Sequence, residues 1–194
     1  MGEPATILAF AGSTRSGSLN KKLLAIAVAG ARSAGGAVEL IDLRDFPLPL
    51  YDGDLEASEG LPANAITLKN LFLSHRGLLI ATPEYNGSVT GVLKNVIDWV
   101  SRPAPGEASL ACFTGKVAAL LSAGLGPVGG IRSQTHLRQI LGTINVILLP
   151  QQWRVPLATD ASFDDAGNLR DATAQKMAQD VGTALTRFLQ RLAV

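Results

Sequence analysis

Apolar residues along the chain follow two alternating patterns. Five short runs are almost continuously aliphatic: TILAFA (6–11), AVELID (37–42), GLLIAT (77–82), KVAALLSA (116–123) and INVILL (144–149). A strand covered on one face alternates apolar with polar, whereas one covered on both is apolar throughout, so these runs predict strands of a parallel sheet. Between them apolar residues recur at three and four, the helical period. Leu23, Ile26, Ala27 and Gly30 precede a stop at Gly35-Gly36, and Ile66, Leu71 and Phe72 precede one at His75, Arg76 and Gly77. The same period predicts helices at 91–101, 130–142 and 171–191, the last with a core stripe of Met177, Val181, Leu185, Phe188 and Leu192.

Strict β-α alternation predicts a single domain over residues 1–194, with a five-stranded parallel sheet and helices on both faces. Two windings satisfy the pattern, strand orders 2-1-3-4-5 and 3-2-1-4-5. In the first, strands 1 and 3 are neighbours and the winding reverses between them, so the loops at 12–20 and 83–90 flank one crevice. Two other loops, 43–61 and 150–170, are long enough to act as lids or partner contacts, or to be plain surface.

Composition narrows the function classes. With 194 residues, 47% hydrophobic, the chain supplies the core of one domain. Seventeen Lys plus Arg against sixteen Asp plus Glu leave a formal charge of +1, which argues against a nucleic-acid groove or an anionic membrane as the main partner. One cysteine, Cys112, excludes an internal disulfide and a multi-thiolate zinc site and suits a reducing compartment, by default the cytoplasm. No apolar stretch reaches the roughly 20 residues of a membrane helix, and MGEPATILAF lacks the pattern of a signal peptide. Met1-Gly2 followed by Ala5-Thr6 only partly matches an N-myristoylation signal.

The candidate chemistry sits in the two crevice loops. AGSTRSGSLN (11–20) places Gly12 and Gly17, the hydroxyls of Ser13, Thr14, Ser16 and Ser18, and the amide of Asn20 just before a helix begins. Free N–H groups at a helix N-terminus with hydroxyls beside them suit a phosphate dianion, and Arg15 adds a bidentate clamp. Lys21 and Lys22 occupy the first helical turn, where the helix dipole disfavours cations. A bound anion would reverse that sign; the alternative is an ordinary Ser or Asn cap with solvated lysines. The spacing is neither that of a nucleoside-triphosphate loop nor G-x-G-x-x-G, and only Asp42 is placed, weakly, to read a ribose, so a terminal monophosphate fits best. In the second loop, Pro83 stiffens the strand exit, Tyr85 offers an aromatic wall, and Asn86-Gly87 is a turn pair whose backbone N–H groups can face a planar heterocycle.

With G-S-x-R-x-x-S-x-N (12–20), P-E-Y-N-G-S-x-x-G-x-L-K-N-x-I-D-W (83–99) and S-A-G-x-G-x-x-G-G-x-R (122–132), the sequence resembles the NADPH-dependent FMN reductase family. That family is flavodoxin-like, with sheet order 2-1-3-4-5, and includes azo-, quinone- and chromate-reducing members. The resemblance implies that Ser13, Arg15, Ser18, Leu19 and Asn20 bind the FMN phosphate, that Pro83, Glu84, Tyr85, Asn86 and Gly87 hold the isoalloxazine, and that Ser122 and Gly124 border it. It implies hydride delivery from NADPH, or NADH, through FMN to quinones, azo compounds, chromate or free flavin in alternating half-reactions, with no indispensable catalytic side chain. It also implies a homodimer or homotetramer, with the 91–101 helix the favoured contact and the 43–61 loop reaching a neighbour's site. A flavodoxin-type electron carrier and a flavin-binding regulatory module without turnover are the alternatives. Thr90 stands where the family usually has proline and Val96 where alanine is common; the first is expected to loosen the start of the helix.

The other conspicuous residues have plainer readings. His75 suits a helix C-terminus, His136 a helix surface or subunit contact, and Glu84 a bond to backbone or a neighbour rather than general-base work. Cys112 reads as a passive thiol and Trp99 as core or interface. Gly129-Gly130 reads equally as a phosphate turn or as a lead into a helix.

Overall fold

A computed structural model describes residues 4–192; the Met1-Gly2 acylation signal lies outside them. Five parallel strands, β1 (Thr6–Ala11), β2 (Ala37–Leu40), β3 (Gly77–Ala81), β4 (Val117–Ala123) and β5 (Ile147–Val155), form one sheet in the order β2-β1-β3-β4-β5. Six helices connect or follow them: α1 (Leu19–Ser33), α2 (Gly53–Glu59), α3 (Ala63–Ser74), α4 (Gly91–Val100), α5 (Ile131–Thr143) and α6 (Ala172–Leu192). This is the flavodoxin-like winding. Among the described residues no helix is long and apolar enough to cross a membrane.

The continuous apolar runs feed two cores at once. Ile7, Ala9 and Ala11 of β1, with Leu79 and Ala81 of β3, face α1 and α6. Leu8 and Phe10, with Leu78 and Ile80, face α3, α4 and α5. On that side Phe72 packs between Phe10 and Phe113, with ring centroids at 5.6 and 5.3 Å, an arrangement whose truncation to alanine costs about 3–5 kcal/mol. On the other side α1 crosses α6 at near backbone contact. A Cβ on Gly30 would lie 2.1 Å from the carbonyl oxygen of Gln179, and one on Gly182 would lie 1.9 Å from that of Ala27.

Several expectations shift. AVELID is a short, largely exposed edge strand ending at Leu40. INVILL does not begin a strand at 144, because α5 runs on to Thr143 and Ile144 closes it. The strand continues instead through Pro150 to Val155, with a register irregularity opposite Ala118–Leu120; on an edge strand the missing proline N–H does no harm. The 43–61 loop contains α2, capped by Asp52 and stopped by Gly60, and it packs on its own chain: Trp99 Nε1 and Asn95 Nδ2 both donate to the Pro49 carbonyl at 2.8 Å. Trp99 is wholly buried there, so its place is the core of this chain. The α6 stripe is rotated slightly: Ala178, Val181, Leu185 and Leu189 are buried while Met177 and Leu192 are exposed, as is Ile66 on α3.

Candidate functional site

The register that pairs β1 with β3 also joins their loops. Gly12 N–H donates to the Ala81 carbonyl at 2.9 Å, and the buried Thr90 Oγ1 donates to the Gly12 carbonyl at 2.6 Å. Thr90 Oγ1 also accepts from Leu93 N–H at 3.3 Å, capping α4. The residue expected to loosen this helix therefore secures it, and it ties the two crevice loops together. Gly12 is needed at that junction because a Cβ would lie 2.9 Å from Leu93 Cδ2.

Between the loops lies a cleft of about 350 Å³ lined by Ser13, Arg15, Ser18, Leu19, Asn20, Pro83, Glu84, Tyr85 and Gly124. Nine of the twelve residues singled out from the sequence thus share one cavity. Asn86 and Gly87 form the turn beside it. Both have positive φ, 50° and 77°, and Tyr85 and Ser88 exchange backbone hydrogen bonds of 3.0 and 3.1 Å, so the segment is a tight two-residue hairpin. The Tyr85 N–H is thereby used, which leaves those of Asn86 and Gly87 without an acceptor among the described residues. Ser122 does not reach the cavity. It is fully buried, and its Oγ donates to the Gly129 carbonyl at 2.5 Å. Gly129 and Gly130 are required by packing, since a Cβ on them would press on Pro156 and Ser122 at 2.9 and 2.8 Å.

Polar groups that suit a phosphate remain free at the start of α1. Ser18, its N-cap, makes no side-chain cap bond, and first-turn N–H groups such as those of Leu19 and Asn20 have no intrahelical acceptor. The Asn20 side chain is already occupied, clipping α1 to the tip of β4 through Ala123 N–H and carbonyl at 2.9 Å each, so Asn20 offers the cleft its backbone. Arg15 curls onto the Gly17 carbonyl at 2.9 Å, and Arg44 holds the Thr14 carbonyl through Nε at 2.8 Å. Lys21 and Lys22 owe their position to carboxylates: Lys21 pairs with Asp42 at 2.6 Å and Lys22 with Asp160 at 2.7 Å. Asp42 also accepts from Arg44 N–H, so both of its oxygens are engaged. The lysine hydrogen bond holds the Asp160 carboxyl below its usual range.

Glu84 anchors the hairpin. Its carboxylate accepts from Arg132 N–H and Arg132 Nη1 at 3.0 Å each and from Ser133 N–H at 3.4 Å, capping α5. Burial opposes ionisation of Glu84, but these hydrogen bonds outweigh it and its pKa is lowered. His136 Nδ1 lies 2.9 Å from Ser88 Oγ, His75 Nδ1 lies 2.7 Å from the Leu71 carbonyl, and burial raises the pKa of the Cys112 thiol, all in keeping with structural parts. Sequence reasoning missed Ala123, Leu125, Thr159 and Asp160, which complete the cleft. The last two arrive from the turn after β5, a stretch without periodicity.

The sequence profile of the NADPH-dependent FMN reductase family matches residues 5–160. The chain belongs to this family. It is 38% identical over 192 residues to an NAD(P)H-dependent FMN reductase of Pseudomonas aeruginosa, covering 99% of both chains. It is 33% identical over 203 residues to the quinone reductase of Escherichia coli, covering all of both. Among solved structures, the flavoenzyme NAD(P)H:(acceptor) oxidoreductase FerB from Paracoccus denitrificans superposes with a TM-score of 0.81 at 26% identity, covering 98% of this chain and all of that one. An archaeal flavodoxin, at 10% identity and a TM-score of 0.64 over 95% of this chain and 98% of its own, shares the fold. As an FMN reductase family member the protein is an oxidoreductase with FMN as cofactor and NAD(P)H as reductant. Its cleft fits that cofactor: unsatisfied helix N–H groups and the hydroxyls of Ser13 and Ser18 suit the phosphate, while Tyr85 and the free turn amides suit a flat polar-edged ring.

Proposed function

We propose that this FMN reductase family member is a quinone reductase in which NAD(P)H and acceptor use the same cleft in turn. The observation that carries the reading is the convergence, in one 350 Å³ cavity, of an uncapped helix N-terminus and a rigid aromatic hairpin. Ser13, Arg15, Ser18 and the backbone of Leu19 and Asn20 would hold the phosphate; Pro83 to Gly87 and Gly124 would hold the ring, with Ser122 supporting from beneath. Bound FMN supplies two-electron chemistry that no side chain here offers. The chain's own task is to position and polarise. Asn86 and Gly87 N–H groups and the α1 N-terminus set a positive field that favours negative charge in the cleft. Glu84, ionised and tied to α5, fixes the hairpin rather than transferring a proton.

The choice of quinones follows from the rim. Tyr85 and Leu125 line the cleft yet stay 55% and 75% exposed, a flat apolar surface that suits a planar ring better than a small oxyanion such as chromate. Relatives named quinone reductase or 2-hydroxy-1,4-benzoquinone reductase support this. Azo compounds and free flavin, also planar, rank behind quinones in this reading and chromate last. Leu50 and Leu157, 82% and 64% exposed, add apolar surface that a homodimer or homotetramer would cover, and the lone reduced Cys112 fits a cytoplasmic setting. In the deciding experiment, protein reduced with one equivalent of NADPH is separated from nucleotide and mixed anaerobically with a benzoquinone. Reoxidation within the turnover time is expected; a reduced protein that reoxidises only when NADPH is present refutes alternating use of the cleft.

A further inference from the structure

Across the 124–130 loop lies a second, larger cleft of about 840 Å³. A cavity of about 300 Å³ intervenes, sharing Glu84, Gly124 and Leu125 with the first cleft and Pro127 and Val128 with the second. The three lie side by side from the tip of β3 to the tip of β5.

The far cleft is built from two kinds of wall. Pro127, Val128 and Ile131 make one apolar, with Val128 and Ile131 still 38% and 41% exposed. Arg154 and Arg170 make the other cationic. Arg15, Arg32, Arg44, Arg132 and Arg138 all bind carbonyls or carboxylates, whereas neither Arg154 nor Arg170 makes a side-chain hydrogen bond or ion pair among the described residues. The carboxylate beside them, Asp171, is engaged elsewhere: it accepts from Thr173 and Ala174 N–H at 2.8 and 3.0 Å, capping α6. Trp153, also in the wall, has a buried indole N–H without an acceptor among the described residues. Two guanidinium forks without a hydrogen-bonded partner, Arg170 feeling only the charge of nearby Asp164, stand beside an apolar face and suit a ligand that carries phosphates and a ring together.

The flavin cleft is too small to take a whole nicotinamide dinucleotide besides FMN, since drug-sized ligands alone occupy pockets of about 300–1,000 Å³. The adenosine end must lie outside it. We propose that the far cleft receives the adenosine diphosphate end of NAD(P)H, with Arg154 and Arg170 gripping its phosphates and the Pro127–Val128–Ile131 wall flanking the adenine. This rests on the proposed reading that the nicotinamide enters the first cleft, and it names residues that set affinity for the reductant.

The flavin-loaded protein is titrated calorimetrically with adenosine 2′,5′-bisphosphate and with ADP, which probe the site without turnover. Binding to the parent protein is expected, weakened about tenfold or more in the Arg154→Gln, Arg170→Gln double variant, as the loss of charge-assisted hydrogen bonds implies. Arg154→Lys, which keeps the charge but loses the fork, falls between. Arg187→Gln with Arg191→Gln removes two exposed α6 charges and controls for net charge; it binds as the parent does. In steady state the KM for NADPH rises in the double variant while the KM for quinone does not. No nucleotide binding by the parent, or equal binding by parent and double variant, overturns the assignment. So does a double variant that changes oligomeric state without moving the KM for NADPH, which would make the cleft a contact with a second copy. Each of these three results is compatible with reoxidation of the reduced protein by quinone, so the two readings fail separately.

Discussion

Glu84 shows how a single residue can look catalytic and be structural. An acid between a proline and a tyrosine at the wall of a cleft invites a general-base role, yet its oxygens are taken by the first turn of α5 and by Arg132. Its pKa in the folded protein lies below the ordinary value, so its stabilising effect is complete above the unfolded pKa and is lost as pH falls through the folded one. Glu84→Gln keeps an acceptor and removes the charge. At neutral pH it is expected to cost about 1 kcal/mol, the scale of a partly buried charge at a helix N-terminus, and thus about 2–4 °C in Tm. The gap between variant and parent should close only in acid, as pH falls through the lowered folded pKa. A pH-independent gap in thermal unfolding would mean that hairpin geometry, not charge, accounts for the effect. Lys21 and Lys22 teach the converse lesson. In sequence they hinted at a bound anion, and in space they answer Asp42 and Asp160, which lie far along the chain.

At the scale of elements, the α1–α6 contact holds one face of the sheet and, with it, the start of α1 at the cleft. Thr183 and Thr186 Oγ1 donate to the Gly30 and Ala31 carbonyls at 3.1 and 3.2 Å, an approach possible only because Gly30 and Gly182 lack side chains. Gly30→Ala gains helix propensity of about 1 kcal/mol but forces a methyl into the α6 backbone. The expected net loss is about 2 kcal/mol or more, read as a lower urea midpoint with an unchanged m value. Equal or greater stability would show that the helices can separate at no cost. In sequence Gly30 is legible as a position on the apolar face of a helix, but not as a contact, because its partner is the carbonyl of Gln179.

At the scale of the molecule, β1, β3 and β4 were plain because burial on both faces leaves an uninterrupted aliphatic run. The two edge strands were legible in place but not in extent: β2 stops early and is exposed, and β5 passes through Pro150, which reads as a terminator until the edge position makes it harmless. The cleft was legible where it is local, in loops 12–20 and 83–87, whose composition carries their chemistry. Its third wall, Thr159 and Asp160, and the burial of Ser122 depend on long-range packing that no short pattern encodes.

In the proposed reading, the N-terminus of α1 holds the phosphate of FMN while the 83–87 hairpin holds its ring. The most direct measurement is titration of flavin-free protein with FMN and, separately, with riboflavin, followed by quenching of flavin fluorescence. One equivalent of FMN per chain should bind, with riboflavin weaker by about a hundredfold, the worth of two charge-assisted hydrogen bonds. Equal affinity for the two flavins, or no binding of either, would contradict this placement of the flavin.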